Sequence, residues 1–230
     1  MTHRTLRSVL LVCALAGSSV SAHDVSVLPH VELRESQQAL NGFPVGSYPA
    51  PGDRGPAYAK PTHLLEVTRE DLNHAVSPHF EVGEFLCKQP GGWPKYLLLE
   101  HKLIRRLEQI VGILHAEGLN GDDLVVMSGY RTPRYNRGLG NVPHSRHLYG
   151  DAADVYLDSD SDGLMDDLNG DGELDVDDAI WLMRRIEQEA AATQALGLEG
   201  GLAAYPPTSA HGAFIHVDTR GQRARWGAGR

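Results

Sequence analysis

The sequence predicts an α+β fold, in which a small, mostly antiparallel sheet is flanked by helices. Two segments place apolar residues at helical spacing, one over residues 96–118 and one over about residues 177–196. Short apolar runs typical of strands lie between and after them, at residues 123–128 and 213–217. Helices packed on one side of such a sheet give the α+β class.

The compact domain is expected to begin only near residue 76. Residues 23–75 are rich in Pro and Gly and have little periodicity, as in the run from Gly42 to Gly46. Short strands are expected at Val25–Leu28 and Leu64–Thr68. We interpret residues 23–75 as a lead-in of unknown role and residues 76–230 as the main domain.

The two helices are each defined by an apolar stripe. In the first, the stripe is formed by Leu99, Leu103, Leu107, Ile110, Val111 and Leu114, and its histidines, His101 and His115, are interpreted as structural. In the second, the stripe is formed by Ala179, Ile180, Leu182, Met183 and Ile186. Gly197 to Gly201 ends the second helix, and a strand carrying His216 follows.

The first 22 residues predict export. A basic start with Arg4 and Arg7 precedes a short apolar run and a small-residue site ending at Ala22, the pattern of a secretory signal peptide. Its removal moves the formal net charge from -9 to -11, because two arginines and no acids are lost. We therefore expect an acidic protein in the periplasm or outside the cell.

The negative charge and the single cysteine of the mature chain exclude several classes of partner and bond. An acidic protein is a poor ligand for nucleic acid or an anionic membrane surface, both of which require basic patches. No stretch approaches the roughly 20 apolar residues of a membrane span. Cys87 is the only cysteine after residue 22, which excludes an intramolecular disulfide, and its apolar neighbours predict a buried, inert thiol. We expect a monomer.

An aspartate-rich insertion at residues 158–178 predicts calcium. Calcium loops place oxygen ligands at alternate positions, a glycine at the sixth and an acid at the twelfth. The pattern recurs in two overlapping loops, whose ligands would be Asp158, Asp160, Asp162 and Asp166 in the first and Asp167, Asn169, Asp171, Glu173, Asp175 and Asp178 in the second. One or two structural Ca²⁺ ions are expected. A solvated acidic loop before a helix N-terminus is the alternative.

Three further residues form the ligand set of a catalytic zinc. His147 and Asp154 lie seven positions apart before the short apolar run Val155–Leu157, and His216 lies on the later strand. Two imidazoles and a carboxylate are a ligand set that leaves a fourth position for water. We expect the three side chains to converge in a cleft on the sheet.

Four separated motifs resemble the zinc D-alanyl-D-alanine carboxypeptidases and their murein endopeptidase relatives. They occur in order over residues 77–230, and the final Arg225-Trp226 is also similar to the family's end. The motifs are Phe80 to Cys87, Ser128 to Pro133 with Asn136, the S-x-H-x-x-G-x-A-x-D run from Ser145 to Asp154, and Phe214 to Asp218. The insertion is not part of the family's common core.

The resemblance implies roles for individual residues. Arg131 would grip the substrate carboxylate or stabilise the oxyanion, and His211 would lie near the metal and stabilise the transition state. Many members have an acidic general base three residues before the last histidine ligand, but here that position is Ala213. Asp218 is either the base or a partner that orients a ligand imidazole, and Asp151 is a further candidate for the base.

The expected function is cleavage of a D,D- or L,D-type bond in the stem or cross-bridge peptides of peptidoglycan by a zinc- and calcium-binding metallopeptidase. Two other interpretations stay open. One is a catalytically inactive module that keeps zinc and binds the cell wall, which Ala213 favours. The other is a calcium-dependent adhesion or scaffold protein, in which the aspartate loops are the functional element.

Overall fold

The structure is a computed structural model, and it describes residues 25–229. The predicted signal peptide lies outside these residues. Ten strands and four α-helices are found in the described part, and short 3₁₀ turns connect several of them. The strands are β1 His30–Glu32, β2 Ala39–Leu40, β3 Phe43–Pro44, β4 His63–Val67, β5 Lys95–Leu97, β6 Leu124–Ser128, β7 Ala152–Leu157, β8 Gly201–Tyr205, β9 Phe214–Asp218 and β10 Ala224–Gly227. The helices are α1 His101–Ala116, α2 Pro133–Gly138, α3 Val176–Gln188 and α4 Ala190–Ala195.

The main sheet has five strands in the order β10-β8-β9-β7-β6. Its β8–β9, β9–β7 and β7–β6 pairs are antiparallel, and only the edge pair β10–β8 is parallel. A second antiparallel sheet has the order β1-β4-β5, and β2 and β3 form a hairpin. The predicted α+β class with small, mostly antiparallel sheets is thus confirmed.

The two long helices bury the apolar stripes that the sequence predicts. Leu103, Leu107, Ile110 and Leu114 of α1 are buried, and α3 packs against β8 and β9 through its own apolar face. Asp175 caps α3, because its carboxylate accepts the Asp177 N–H. This capping fixes where the aspartate-rich insertion ends and where the helix begins.

Three local predictions were wrong. Residues 95–97 form β5 and not the start of α1, because Leu97 and Tyr96 pair with Leu65 and Glu66 of β4. Val25–Val27 is a 3₁₀ turn and not a strand. The second helix ends at Gln188 and a separate short helix follows, since Glu189 between them is not helical (ψ 18°).

The lead-in shares one hydrophobic core with the rest of the chain. Leu40, Val45 and Leu64 are buried in the same cluster as Phe85 and Leu107. The strand pairing of β4 with β5 joins the two parts in one sheet. Residues 28–67 therefore stabilise the structure that holds the site, whatever further role they have.

No helix in the described residues is long and apolar enough to cross a membrane.

Candidate metal centre

Strand pairing brings two of the three predicted zinc ligands together. Asp154 of β7 lies directly opposite His216 of β9 in the antiparallel register, so both side chains project from the same face of the sheet. His147 lies on a 3₁₀ turn, Arg146–Tyr149, just before β7. Gly150 reverses the chain there at φ +71°, and a Cβ at this position would meet the Leu98 carbonyl oxygen at 2.5 Å. The glycine of the S-x-H-x-x-G run is therefore required by both conformation and space.

The three ligand atoms converge as predicted. His147 Nε2 lies 3.2 Å from Asp154 Oδ1 and 3.2 Å from His216 Nδ1, and the last two atoms are 2.9 Å apart. All three residues are buried. Tetrahedral ligands at zinc bond lengths of about 2.0–2.1 Å are about 3.3 Å apart, so these separations fit one zinc ion.

Backbone contacts orient the His147 imidazole. Its Nδ1–H donates to the Gly129 carbonyl at 2.7 Å, which leaves Nε2 with the lone pair that a metal requires. Gly129 is held against Phe85, because a Cβ on it would meet the Phe85 Cα at 2.7 Å. The Arg131 N–H also donates to the His147 carbonyl. The Ser-Gly-Tyr-Arg run thus orients His147 through backbone hydrogen bonds to its ring and to its carbonyl.

Arg131 lies beside the triad, as expected. Its Nε donates to Ser128 Oγ at 2.9 Å, and its Nη2 donates to the Asp154 oxygen that faces away from the histidines. The side chain is only 12% exposed, so little water screens its charge. It therefore places a fixed positive charge at the edge of the candidate metal centre.

Asp218 lies behind His216, on the side away from the triad. Its carboxylate accepts the Nε2–H of His216 at 3.2 Å and the Gly201 N–H at 2.8 Å. Arg220 holds the same carboxylate through its backbone N–H, Nε and Nη2. Asp218 is fully buried, and its position fits the orienting role among the two roles expected from the sequence.

Charges in the centre are strongly coupled. Burial alone would lower the pKa of His216, but hydrogen bonds to Asp154 and Asp218 outweigh it and raise that pKa to about 9. Burial lowers the pKa of His147. Burial would raise the pKa of Asp154, yet its two histidine partners hold that pKa well below its ordinary value. Without metal, the triad therefore carries a carboxylate, a neutral His147 and a protonated His216 at neutral pH.

An open cleft of about 680 Å³ leads to the triad. One wall is aromatic: the Tyr205 and Phe214 rings stack at 4.9 Å, and Trp226 lies 5.2 Å from the His216 ring. The exposed side chains of Leu139 and Val142 also line the cleft.

His211 lines this cleft, and Ala213 does not supply a polar group. His211 Nδ1–H donates to the Gly212 carbonyl at 2.8 Å, and its ring meets the Phe214 ring edge-on at 5.0 Å. Ala213 is buried. The histidine is therefore the titratable side chain that this loop presents to the cleft.

The lead-in contacts Arg146, which lines the cleft, and no sequence pattern predicts this contact. The Arg146 guanidinium lies over the rings of Tyr58 and Tyr149, at 4.6 and 4.8 Å, and donates to the Ala57 carbonyl. The same guanidinium forms a two-bond pair with Asp151. Because Arg146 precedes His147, these contacts anchor the turn that carries the first ligand.

The aspartate-rich insertion brings its first loop together more closely than its second. Carboxylate oxygens of Asp158, Asp160 and Asp166 all lie within 4.8 Å of one another. In the second loop, Asp167 instead accepts backbone N–H groups from Gly170 to Gly172. Asp178 is buried and accepts the N–H groups of Leu168, Asn169 and Asp175. It therefore caps the loop backbone and does not join a carboxylate cluster.

Among the remaining ligands predicted for calcium, Asp162, Asp171 and Glu173 are exposed, and Asn169 and Asp175 are half-buried. Their positions follow from hydrogen bonds that close the two loops on themselves: Asp162 accepts the Leu164 N–H, Asn169 accepts the Asp171 N–H, Asp171 accepts the Glu173 N–H, and Asp175 accepts the Asp177 N–H. These hydrogen bonds hold each loop in a series of tight turns.

Comparison with known families supports the metal centre. Residues 78–167 match the family model described as Peptidase M15. This segment contains Arg131, His147 and Asp154, whereas His216 lies beyond the matched residues and joins them through the β7–β9 pairing. No curated protein matches the chain.

Proposed function

We propose that the protein is an exported zinc peptidase that hydrolyses stem or cross-bridge peptides of peptidoglycan, a proposal supported by the match of residues 78–167 to the Peptidase M15 family model. The observation that carries the proposal is the buried triad of His147, Asp154 and His216, with ligand atoms 2.9–3.2 Å apart. A family motif alone would not place the third ligand.

The donor set fits zinc on chemical grounds. Two imidazole nitrogens and one carboxylate oxygen match the borderline-soft ion, and the open cleft leaves room for water in a fourth position. His147 and His216 each have an oriented second nitrogen, the first on the Gly129 carbonyl and the second on Asp218. When bound, zinc would polarise the scissile carbonyl and lower the pKa of water toward ~7.

Protein groups around the triad have distinct roles. Arg131 is positioned to stabilise negative charge on the carbonyl oxygen or to bind a substrate carboxylate, because its guanidinium lies at the edge of the triad. Asp218, clamped by Arg220, orients His216. The aromatic wall of Tyr205 and Phe214 would lie along the bound peptide.

We also propose that the insertion binds Ca²⁺ as a structural ion. The close carboxylates of Asp158, Asp160 and Asp166 repel one another, and a divalent cation with oxygen preference would relieve that repulsion. Outside the cytoplasm, millimolar affinity would suffice. The location outside the cytoplasm is itself part of the proposal and rests on the pattern of residues 1–22.

The test is incubation of the purified mature protein, with zinc and calcium, on muropeptides, followed by mass spectrometry. We expect a cut peptide bond that disappears in His147→Ala and in Asp154→Ala. His101→Ala is the matched control, since His101 is an exposed histidine on α1. Bound zinc with no cut on cross-linked or free stem peptides would contradict the enzyme and favour the wall-binding module.

A further inference from the structure

We propose that His211 is the general base of the reaction and accepts the proton of the attacking water. The inference rests on the proposed function and assigns the proton acceptor of the same site. It starts from a mismatch between the resemblance and the structure: the position three residues before His216 holds Ala213, whose methyl group accepts no proton.

The described residues that line the cleft offer one carboxylate, and it is already engaged. Asp154 gives one oxygen to the two histidines of the triad and the other to Arg131. A carboxylate held by three partners at a metal centre has no oxygen free to take up a proton. The base must therefore be another kind of group.

The two other aspartates near the site are also engaged. Asp218 is enclosed behind His216, receives N–H groups from Gly201 and Arg220, and does not line the cleft. Asp151 forms a buried two-bond pair with Arg146 and faces a different cleft. A side chain must reach the attacking water to act as a base, and neither of these does.

His211 has the geometry of a base. Its Nδ1 lies 2.8 Å from the Gly212 carbonyl, and because a carbonyl only accepts, the proton is on Nδ1. Nε2 then carries the lone pair. The Phe214 ring packs edge-on against the imidazole and limits its rotation, and both side chains line the cleft that contains the triad. The chain thus presents an imidazole of defined orientation in the cleft that contains the triad.

The resulting steps balance. As the water oxygen bonds to the scissile carbonyl carbon, one water proton moves to His211 Nε2. As the C–N bond breaks, the same proton moves from Nε2 to the leaving nitrogen, which departs as an amine. Imidazole is suited to both transfers near neutral pH, and such catalysis contributes about 10²–10⁴-fold in rate.

His144 is the other imidazole that lines the cleft without belonging to the triad. Its Nδ1 is buried and has no hydrogen-bond partner among the described residues, so neither tautomer is fixed. A hydrogen bond that selects one tautomer is what distinguishes His211. The two histidines are therefore compared in the same experiment.

The experiment compares His211→Ala with His144→Ala, and with His101→Ala as a matched control remote from the cleft. Muropeptide cleavage is measured together with zinc content and with added imidazole. We expect His211→Ala to lower kcat by about 10²–10⁴-fold, with KM and zinc content near those of the parent and partial rescue by imidazole. Cleavage within threefold of the parent, or a loss confined to His144→Ala, would overturn the assignment.

A second measurement does not depend on activity. In the zinc-free protein, nitrogen-15 NMR of the histidine rings should show the Nδ1–H tautomer for His211, assigned by its absence in His211→Ala. The opposite tautomer would contradict the role. A parent protein that binds zinc but cuts no muropeptide would contradict both the proposed function and this role of His211. A parent protein that cuts muropeptides, together with an active His211→Ala variant, would contradict only the assignment of His211.

Discussion

Replacing Asp218 by Asn should weaken zinc binding and destabilise the fold together. The carboxylate accepts hydrogen bonds from Gly201, Arg220 and His216, and it is fully buried. The amide of Asn keeps one acceptor oxygen, but it turns an N–H group toward Arg220 or His216, which are themselves donors. The variant therefore loses both the negative charge and at least one accepted bond.

The magnitude follows from these contacts. Removing one partner of a buried ion pair costs about 3–5 kcal/mol, and the retained acceptor of Asn favours the lower end, so we expect a loss of about 3 kcal/mol in the free energy of unfolding of the metal-free protein. Loss of an orienting partner of a metal-bound histidine costs about 10–100-fold in metal affinity. Arg220 is 21% exposed and recovers some hydration when its partner is lost, which limits the destabilisation.

The assays are urea unfolding of the metal-free protein and competition with a chromophoric zinc chelator. Asp53→Asn on the exposed surface is the matched control, because it makes the same chemical change without a buried partner. The pKa of Asp218 is held below its ordinary value by His216 and Arg220, against the effect of burial. The contribution of this carboxylate to the free energy of unfolding is thus present above pH ~4 and is lost as the pH falls below that value. The parent should show this pH dependence, and the Asp218→Asn variant should not. A variant that keeps parent zinc affinity would refute the orienting role.

Three further predictions test neighbouring parts of the site. Replacing Arg131 by Met should lower kcat for muropeptides by about 10²–10³-fold with zinc content retained, as measured by metal analysis, and a fall in zinc content of the same size would instead indicate a structural role. Zinc binding at pH 7 should release about one proton from His216, whose pKa is raised to about 9. The apparent affinity for zinc should therefore rise as pH rises toward 9. Calorimetry in two buffers of different ionisation enthalpy should show the proton release. Chelation with EGTA should lower the melting temperature of the parent but have little effect in an Asp160→Asn variant, and an unchanged parent would contradict the calcium proposal.

The zinc ligands are predictable from sequence because each lies in a pattern whose geometry is local. The turn before β7 requires Gly150, which sets the spacing from His147 to Asp154. The opposition of Asp154 and His216 follows from an antiparallel register that alternation along the strands permits but does not specify. The sequence therefore indicated which residues converge, while the pairing that achieves it is a tertiary result.

Other features could not be predicted because they depend on contacts distant in sequence. The sequence predicts the start of α1 too early, because the apolar spacing of residues 96–99 is compatible with a helix, whereas in the fold residues 95–97 pair with β4. The two roles left open for Asp218 are separated only by where Arg220 and Gly201 lie. The packing of Tyr58 on Arg146 joins residues 88 positions apart, and no local sequence pattern predicts it.

The insertion separates the zinc ligands along the chain without separating them in the sheet. It leaves β7 after Leu157 and returns through α3, which packs on β8 and β9. Met165 and Leu168 of the insertion are buried in the common core, so its ends are anchored by apolar contacts as well as by the Asp175 cap. Lengthening a loop between paired strands costs only about 0.6 kcal/mol per doubling. An anchored insertion can therefore be accommodated between Asp154 and His216 while the β7–β9 pairing that builds the metal centre is kept.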